Sequence, residues 1–279
     1  MIRGRGSRAG EQNRLRSAWH AIPSGFGGVG VYNASVDLSS IEAGTGGFVI
    51  NGEQAGDESG RAVASAGDVN GDGVDDLIVG AYRANRSDNG KSYVVFGRST
   101  GFSTSVDLTS ISGGTGGFVI NGGAADTWSG RSVATAGDFN GDGFDDLIIG
   151  GFFGGAGKSY LIFGRGAGFK APVNLTNVAA GTGGFVIYGQ TSGDRLGYSV
   201  ASAGDFNGDG FDDLVVGAPG ADPMGVGSAG NSYILFGRGA GFGASIDLAH
   251  ISAGTGGFVI RGTLRANDDE TSTAREFRP

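Results

Sequence analysis

The sequence predicts an all-β fold made of repeated four-stranded antiparallel sheets, and three repeated segments carry this prediction. A Gly-Thr-Gly-Gly-Phe-Val-Ile segment occurs four times, with its phenylalanine at Phe48, Phe118, Phe185 and Phe258. An Asp-rich loop, Gly-Asp-(Val/Phe)-Asn-Gly-Asp-Gly, and a Ser-Tyr-X-X-Phe-Gly-Arg segment each occur three times with the same spacing of 67–73 residues. A repeat of this length is typical of a β-propeller blade, so we predict three complete blades and one partial blade in an incomplete ring.

Each repeat offers four short strand candidates separated by Gly-rich turns. In the first repeat they cover residues 48–50, 61–66, 77–79 and 92–96. The third segment is apolar on both faces, as expected for a strand that is covered on both sides. A stacked β-helix would need far shorter rungs, and helical repeats would need a 3.6-residue period that we do not find. We therefore predict one blade per repeat, built from these four strands.

The repeat also sets the expected domain boundaries. A linker of the type Ser-Val-Asp-Leu-(Ser/Thr)-Ser-Ile, or a close variant, precedes each Phe-Val-Ile segment and is expected to join blades. The predicted domains are a basic tail over 1–29, blade 1 over 30–101, blade 2 over 102–168, blade 3 over 169–241, the start of blade 4 over 242–262 and a C-terminal tail over 263–279. We expect the basic tail to be disordered, because no apolar segment of a signal peptide follows its arginines. We also expect a longer parent chain to supply the remaining blades.

Composition argues against several functions. The chain has no cysteine and two histidines, so disulfide chemistry and a His-rich metal site are not expected. It also lacks an apolar run of the roughly 18 residues that a membrane-spanning segment needs. The net charge is −8, but 12 of the 28 acidic residues lie in the three Asp-rich loops, which leaves 16 acids against 20 bases elsewhere. Because no basic stripe occurs outside the N-terminal tail, we expect no nucleic-acid partner.

The three Asp-rich loops carry the clearest chemical signal. Each loop places side-chain oxygens at positions 1, 3, 5 and 9 and a main-chain carbonyl at position 7. Ca²⁺ takes about six to eight oxygen ligands, and alternate residues of a turning chain with glycine at position 6 can supply them. We therefore predict three Ca²⁺ sites, one in each complete blade. The predicted ligands are Asp68, Asn70, Asp72, Val74 and Asp76 in loop one, Asp138, Asn140, Asp142, Phe144 and Asp146 in loop two, and Asp205, Asn207, Asp209, Phe211 and Asp213 in loop three.

Other interpretations of these loops are weaker. An EF-hand needs a bidentate glutamate at position 12, where this chain has Val79, Ile149 and Val216. Plain turns also favour Asp, Asn and Gly, but four carboxylates this close together repel one another unless a cation neutralises them. Mg²⁺ prefers strict octahedral sites that retain water. The aspartates at position 8 are expected to point away from the metal, as rim charges or as acceptors behind the ligands: Asp75, Asp145 and Asp212.

The Asp-Asn-Asp-Gly loop followed by Leu-(Ile/Val)-(Val/Ile)-Gly resembles the FG-GAP repeat, the blade of the integrin α-chain β-propeller and of many bacterial surface proteins. The resemblance covers residues 30–262, with the Gly-Ala-Pro step of the family intact only at 217–219. The Phe-Gly step before the loop is replaced by Ser59-Gly60, Ser129-Gly130 and Leu196-Gly197. The family implies seven blades in a closed ring, Ca²⁺ loops on the face opposite the ligand site, and an extracellular or cell-surface setting. The near identity of the copies, without cysteine, resembles a bacterial surface or secreted member.

These observations favour a non-enzymatic, Ca²⁺-stabilised scaffold that binds an extracellular protein or carbohydrate, as in adhesion. The alternative is an accessory propeller module of a secreted hydrolase. It has little support, because His20 lies in the basic tail and His250 occupies a linker position that is Ser or Asn in the other copies. Catalysis also needs one asymmetric site, whereas repeats supply the same residues several times. A Gly- and Asp-rich secreted β-roll would need a period of about nine residues, which is missing.

The sequence leaves the ligand-binding residues open. Three loops differ in length and composition between the repeats, as binding loops on a fixed scaffold do, and slack in connecting segments would produce the same variation. These loops cover residues 83–90, 152–157 and 220–230. No Arg-Gly-Asp tripeptide occurs in the chain.

Overall fold

The computed structural model describes residues 37–85, 89–123, 127–152, 155–166, 168–169, 172–223 and 228–263. The predicted tail over 1–29, almost all of the tail over 263–279 and parts of the three variable loops lie outside these ranges. The described residues form four separate sheets connected by short helices and turns. The predicted all-β fold class and its incomplete propeller architecture are confirmed.

The strands are short, and Gly-rich turns separate them as the sequence predicts. In chain order they are β1 (Val49–Asn51), β2 (Ala62–Gly67), β3 (Asp76–Ala81), β4 (Lys91–Val95), β5 (Ser105–Asp107), β6 (Gly117–Asn121), β7 (Ser132–Gly137), β8 (Asp146–Gly151), β9 (Lys158–Ile162), β10 (Val173–Asn174), β11 (Gly184–Tyr188), β12 (Ser199–Gly204), β13 (Asp213–Ala218), β14 (Asn231–Leu235), β15 (Ser245–Asp247) and β16 (Gly257–Arg261). The helices are α1 (Leu38–Glu42), α2 (Leu108–Ser112), α3 (Leu175–Ala179) and α4 (Leu248–Ser252).

Three four-stranded antiparallel units form the body of the described chain, and we call them blades 1, 2 and 3. Blade 1 has the strand order β2-β3-β4-β6, blade 2 the order β7-β8-β9-β11, and blade 3 the order β12-β13-β14-β16. The short strands β10 and β15 add a parallel edge to blades 1 and 2, next to β6 and β11. The remaining sheet is the parallel pair of β1 and β5.

The hydrogen bonding groups the strands differently from the sequence prediction. The segment at residues 48–50 was expected to share a blade with β2, but it contributes to β1, whose pairing partner among the described residues is β5. The fourth strand of each blade instead comes from the following repeat, after the linker, as β6, β11 and β16. The expected start of blade 4 therefore supplies the last strand of blade 3. The partial blade lies on the N-terminal side, at β1 and β5.

The second, third and fourth linkers each form a short strand followed by a helix of five residues, and the described part of the first linker forms helix α1. Asp37 and Asp247 cap the first and last of these helices, because their carboxylates accept the N–H of the second residue that follows, at 2.9 and 2.8 Å. The phenylalanine before each linker stacks on the phenylalanine of the outer strand next to it. These pairs are Phe48–Phe102 at 4.2 Å, Phe118–Phe169 at 3.8 Å and Phe185–Phe242 at 5.2 Å between ring centroids. The linkers thereby attach to the outer edge of the blades.

The hydrophobic core is divided into layers between neighbouring blades. Successive residues of a strand point to opposite faces of its sheet. In β8 of blade 2, Leu147 therefore packs with Ile78 of blade 1, whereas Ile148 packs with Val216 of blade 3. All four side chains are at most 1 % exposed. This arrangement explains why the third predicted strand segment is apolar on both faces.

Candidate metal-binding loops

The three Asp-rich loops occupy equivalent places, as the turn between the first two strands of each blade. The strand register shifts by one residue just before each loop, at Gly67, Gly137 and Gly204. These glycines have φ angles of +67°, +64° and +63°, which a residue with a side chain adopts only with strain. Such a β-bulge bends the strand, so that the chain turns immediately into the loop.

The first aspartate organises each loop by accepting hydrogen bonds from the backbone. The carboxylate of Asp68 accepts the N–H groups of Gly71, Asp72 and Gly73 at 2.7, 3.0 and 2.8 Å. In the other loops, Asp138 and Asp205 accept N–H groups at the equivalent fifth and sixth positions. A carboxylate at position 1 therefore fixes the turn, which explains the local folding without reference to a metal.

Positions 3 and 5 also form bonds inside the loop. In loop two, the side-chain oxygen of Asn140 accepts the N–H of Asp142 at 2.8 Å, and its amide donates to the Asp142 carboxylate at 3.0 Å. The same carboxylate accepts the N–H of Phe144, at position 7, at 3.1 Å. Loop three repeats all of these bonds. In loop one, the amide of Asn70 instead donates to the carboxylate at position 9.

The aspartates at position 9 are buried, unlike the others in the loops. Asp76, Asp146 and Asp213 are each 0 % exposed. One carboxylate oxygen of each accepts a backbone N–H, from Gly97, Gly164 or Gly237, at 2.8–2.9 Å. Within the described residues, the second oxygen of Asp146 has no hydrogen-bond partner of normal geometry, although the backbone N–H of Asn140 acts on this carboxylate and lowers its pKa. These three positions therefore place a carboxylate at the inner end of each loop.

Burial raises the pKa of all three position-9 aspartates. It raises the pKa of Asp76 to about 6 and that of Asp146 to about 8, and it raises the pKa of Asp213 as well. The backbone N–H groups of Gly164 and Asn140 lower the pKa of Asp146, while the loop carboxylates at positions 5 and 1 raise it further. The cause is that a buried charge loses its hydration. A bound cation would offset this penalty by stabilising the charged form.

The predicted Ca²⁺ ligands all lie in these loops, but their hydrogen bonds do not bring them together around one point. In the described part of the chain, no three carboxylate or imidazole side chains are placed so that they could hold a metal ion. The available donors nevertheless suit a hard cation, since every one is an oxygen atom. The unpartnered Asp146 oxygen provides a buried donor at the inner end of loop two. The residues present therefore fit a Ca²⁺ ion in their chemistry.

The position-8 aspartates have a role that the loop pattern did not predict. Asp145 of loop two accepts the N–H of Asp68 in loop one at 2.7 Å, and Asp212 accepts the N–H of Asp138 at 2.9 Å. These residues were expected to be rim charges or acceptors behind the metal ligands. Asp145 and Asp212 instead connect neighbouring blades, and Asp145 lies 77 residues from Asp68, whose N–H it accepts. Only the recurrence of this aspartate in every loop could have indicated a shared role.

Replacing Gly137 by alanine is expected to destabilise the fold more than replacing Gly204 by alanine. Both positions share a positive φ, which costs about 1–2 kcal/mol for a residue with a side chain. A Cβ atom at Gly137 would also lie 2.1 Å from the Asp212 carboxylate, whereas one at Gly204 would meet no atom within 4 Å. Urea unfolding of both variants measures the difference. Equal losses would contradict the inter-blade contact at Gly137.

The face opposite the loops carries a row of aromatic side chains. Tyr82, Trp128, Phe152 and Tyr198 follow one another across the three blades, with ring centroids 5.5, 5.8 and 4.8 Å apart. The Arg131 guanidinium lies over the rings of Tyr82 and Phe152 at 5.4 and 5.6 Å. We call these four rings the aromatic row. It lies at the far end of the strands because Tyr82 and Phe152 follow the strands that begin at loops one and two.

One turn position at the end of the blades that carries the aromatic row has a strained backbone in all three blades. Glu58, Trp128 and Arg195 occupy the same turn position before the first strand of each blade, with φ angles of +52°, +49° and +59°. Left-handed conformations of such residues cost roughly 1–3 kcal/mol and persist where the surrounding structure enforces them. One turn position thus presents an acid, an aromatic ring and a base in the three blades.

Three repeated four-stranded blades, each with an Asp-rich loop between its first two strands, define an incomplete β-propeller. The FG-GAP repeat family matches residues 59–95, 129–162 and 196–235. The chain contains three FG-GAP repeats and is similar to integrin α chains. Each matched segment runs from the turn before a blade to its third strand and contains one complete Asp-rich loop.

The integrin relatives match most of this chain but a small part of their own length. Integrin alpha-V of Gallus gallus is 31% identical over 205 residues, which are 71% of this chain and 18% of that protein. Integrin alpha-5 of Xenopus laevis is 30% identical over 212 residues, 72% of this chain and 18% of that protein. Integrin alpha-PS5 of Drosophila melanogaster is 29% identical over 184 residues, 63% of this chain and 16% of that protein. In the ranges that the structure describes, no helix has the length and apolar character to cross a membrane.

Proposed function

We propose that this chain is a Ca²⁺-stabilised binding scaffold of an extracellular or cell-surface protein, with one structural Ca²⁺ ion in each of its three Asp-rich loops. The observation that carries the proposal is the buried, unpartnered carboxylate oxygen of Asp146, in a loop whose other donors are all oxygen atoms. A buried carboxylate without a partner is unfavourable unless a proton or a cation neutralises it. Asp76 and Asp213 are equally buried, but their second oxygens accept hydrogen bonds from Asn70 and from Phe206 and Asn207. In loops one and three the proposal therefore rests on burial of the carboxylate and on the shared loop pattern.

A Ca²⁺ ion would act on the structure rather than on a reaction. Each loop connects the first two strands of its blade, and the position-8 aspartates join the loops of neighbouring blades. The carboxylates at positions 1 and 5 already hold the turn through backbone N–H groups, so these residues orient oxygen atoms along the loop. A bound ion would add attraction between carboxylates that otherwise repel one another. Its expected effect is higher stability of the blades and of the contacts between them.

The partner site is proposed on the face opposite the loops, next to the aromatic row. Aromatic and arginine side chains are enriched at the centres of protein interfaces. The strained turn position presents Glu58, Trp128 and Arg195, so it varies in chemistry on a constant scaffold, as binding positions do. An extracellular protein or carbohydrate ligand is consistent with these residues. Adhesion is the function we propose, by analogy with the integrin α chains that the chain resembles.

Ca²⁺ is expected to raise the melting temperature, and one loop variant at a time should reduce the increase. Each site with a dissociation constant ten- to a hundredfold below the Ca²⁺ concentration adds about 1.4–2.7 kcal/mol of stability. The variants are Asp72→Ala, Asp142→Ala and Asp209→Ala, whose side chains are exposed and central to the loops. Thermal melts in Ca²⁺ and in EDTA measure the effect.

The matched control is Glu42→Ala, which removes one exposed negative charge outside the loops. It should keep the full Ca²⁺-dependent shift, which separates metal binding from general charge repulsion. Equal melting temperatures in Ca²⁺ and EDTA for the unmodified protein would refute the metal sites and leave the propeller fold in place. A shift that stays undiminished in all three loop variants would place the ion elsewhere.

A further inference from the structure

Each blade has a buried tyrosine at the third residue of its third strand, and one turn position faces its hydroxyl group. The tyrosines are Tyr93, Tyr160 and Tyr233. The turn position lies two residues after the strand that precedes each blade, and it holds Glu53, Gly123 and Gln190. The Tyr93 hydroxyl donates to Glu53 at 2.5 Å, and the Tyr233 hydroxyl donates to Gln190 at 3.1 Å. Blade 2 cannot form this bond, because glycine has no side chain.

Blade 1 shows which group this arrangement binds. Besides the Tyr93 hydroxyl, the Glu53 carboxylate accepts the Ser112 hydroxyl and the Lys91 ammonium group, both at 2.9 Å. The side chains of Lys91 and Glu53 are only 14 and 17 % exposed, so the ion pair is largely shielded from water. A shielded carboxylate is stable only where opposite charge and hydrogen-bond donors surround it. Blade 1 therefore contains a carboxylate site that the chain fills itself.

Blade 2 retains the two main groups of this site without the glutamate. Lys158 and Tyr160 occupy the places of Lys91 and Tyr93, and they share one face of the sheet because they are two residues apart in a strand. Within the described residues, no hydrogen bond to the Tyr160 hydroxyl is present. The Lys158 nitrogen lies over the ring of Tyr188, 5.4 Å from its centroid. Both donors are therefore available to a carboxylate from outside the described chain.

The space for this carboxylate lies beside Gly123. A Cβ atom at Gly123 would lie 3.4 Å from the Tyr160 hydroxyl oxygen, an ordinary contact distance, so a side chain at this position would be directed at the hydroxyl. Burial raises the pKa of Tyr160 to about 12, and the nearby Tyr188 acts in the same direction. The hydroxyl therefore keeps its proton and can donate it in a hydrogen bond. We call the space between Gly123, Lys158 and Tyr160 the blade 2 notch.

We propose that the blade 2 notch binds the carboxylate of a glutamate side chain from a partner protein, in the position that Glu53 occupies in blade 1. The Lys158 ammonium group pairs with this carboxylate, and the Tyr160 hydroxyl donates to it. Glutamate is the occupant because Glu53 shows that a side chain of this length reaches both groups when its backbone passes over the turn.

This inference rests on the proposed function and adds the chemistry of the partner. The notch lies at the end of the blades where the partner site is proposed, because Lys158 pairs with Gly151, the last residue of the strand that begins at loop two. The aromatic row lies at the same end, since Phe152 follows Gly151 directly. A partner on the aromatic row can therefore extend an acidic side chain into the notch.

NMR titration with a short peptide tests the notch directly. The probes are acetyl-Gly-Glu-Gly-amide and the same peptide with glutamine, added at constant ionic strength to the 279-residue chain with ¹³C at the Cζ atoms of its tyrosines. The Tyr160 signal, assigned as the one lost in Tyr160→Phe, should shift and saturate with the glutamate peptide. The glutamine peptide should bind about tenfold more weakly, because it offers no charge to Lys158.

Three variants test the contacts that the notch makes. Gly123→Glu supplies the missing carboxylate from the chain itself, so it should shift the Tyr160 signal without peptide and abolish the response to peptide. Gly123 is not among the glycines with a positive φ, so a side chain causes no backbone strain there. Lys158→Ala should weaken peptide binding about tenfold. The matched control Arg61→Ala removes an exposed base of blade 1 and should leave binding unchanged.

A Tyr160 signal that does not respond to the glutamate peptide would overturn the proposal. Tighter binding of glucuronate than of the peptide would also overturn it, because the notch would then suit an acidic sugar. Asp126, which lies outside the described residues, is replaced in Asp126→Asn, and binding seen only in that variant would mean that the chain's own aspartate fills the notch. In the same spectra, the signals of Tyr82 and Tyr198 report on the aromatic row. Shifts there without a response of Tyr160 would refute the notch and leave the proposed partner site in place.

Discussion

Replacing Phe139 by alanine is expected to destabilise the protein by about 3–5 kcal/mol, the range for large aromatic side chains removed from a core. Phe139 is 0 % exposed and lies between blades 2 and 3, where its ring centroid is 5.9 Å from that of Phe185 and 5.3 Å from that of Phe242. Its removal leaves a cavity that these rigid neighbours cannot fill. Urea unfolding, followed by the far-ultraviolet circular dichroism of the sheets, measures the loss.

Phe206→Ala is the control for this experiment, because Phe206 occupies the same loop position in blade 3. Its side chain is 60 % exposed in the single chain, so its removal should change stability by no more than about 0.5 kcal/mol. Both variants should be measured at a protein concentration at which the chain is monomeric. Equal losses would contradict the packing of blade 3 onto Phe139. A large loss in Phe139→Ala alone would establish that neighbouring blades stabilise one another through this loop position.

The sequence predicted the strands well but not their grouping into blades. The repeat period is the same whichever strand is counted first, so periodicity cannot tell whether the Phe-Val-Ile strand begins one blade or ends the preceding one. Gly117, in the Gly-Gly-Phe segment, indicates to which blade the Phe-Val-Ile strand belongs. A Cβ atom at Gly117 would lie 2.0 Å from the carbonyl oxygen of Val94, so this glycine is needed where β6 meets β4. The second glycine of Gly-Gly-Phe thus marks contact with the strand before the linker.

The loops were predictable as turns rich in oxygen ligands, because their residue types and spacing are local properties of the chain. The contact between Asp145 and Asp68 was not predictable in the same way, since it joins residues of different repeats. The sequence pattern also did not predict which of the loop carboxylates are buried. The loop motif sets apart only the position-8 aspartate, but packing against Gly164 and the neighbouring strands buries Asp146 while leaving Asp142 exposed. The tertiary contacts therefore decide which carboxylate most needs a cation.

Asp146→Asn is expected to stabilise the protein in EDTA and to weaken its response to Ca²⁺. Burial raises the pKa of Asp146 to about 8, so the fold favours the protonated carboxyl group. Above the unfolded-state pKa of about 3.9, this group reduces the stability, and the loss grows as pH rises until it is complete above about pH 8. Asparagine imitates the neutral form, so at pH 9 the variant should gain about 1–3 kcal/mol, the usual penalty of a buried unpaired polar group.

Asp213→Asn, at the equivalent position of loop three, is expected to change the stability in EDTA in the opposite direction. The second carboxylate oxygen of Asp213 accepts N–H groups from Phe206 and Asn207 at 3.0 and 3.2 Å, and the NH₂ group of asparagine cannot accept them. In EDTA at pH 9, Asp146→Asn should therefore raise the urea midpoint and Asp213→Asn should lower it. In Ca²⁺, both variants should lose the stabilisation that one loop provides. A lowered midpoint for Asp146→Asn in EDTA would mean that its second oxygen makes favourable bonds in the metal-free fold. Ca²⁺ would then no longer be needed to explain why an aspartate is buried there.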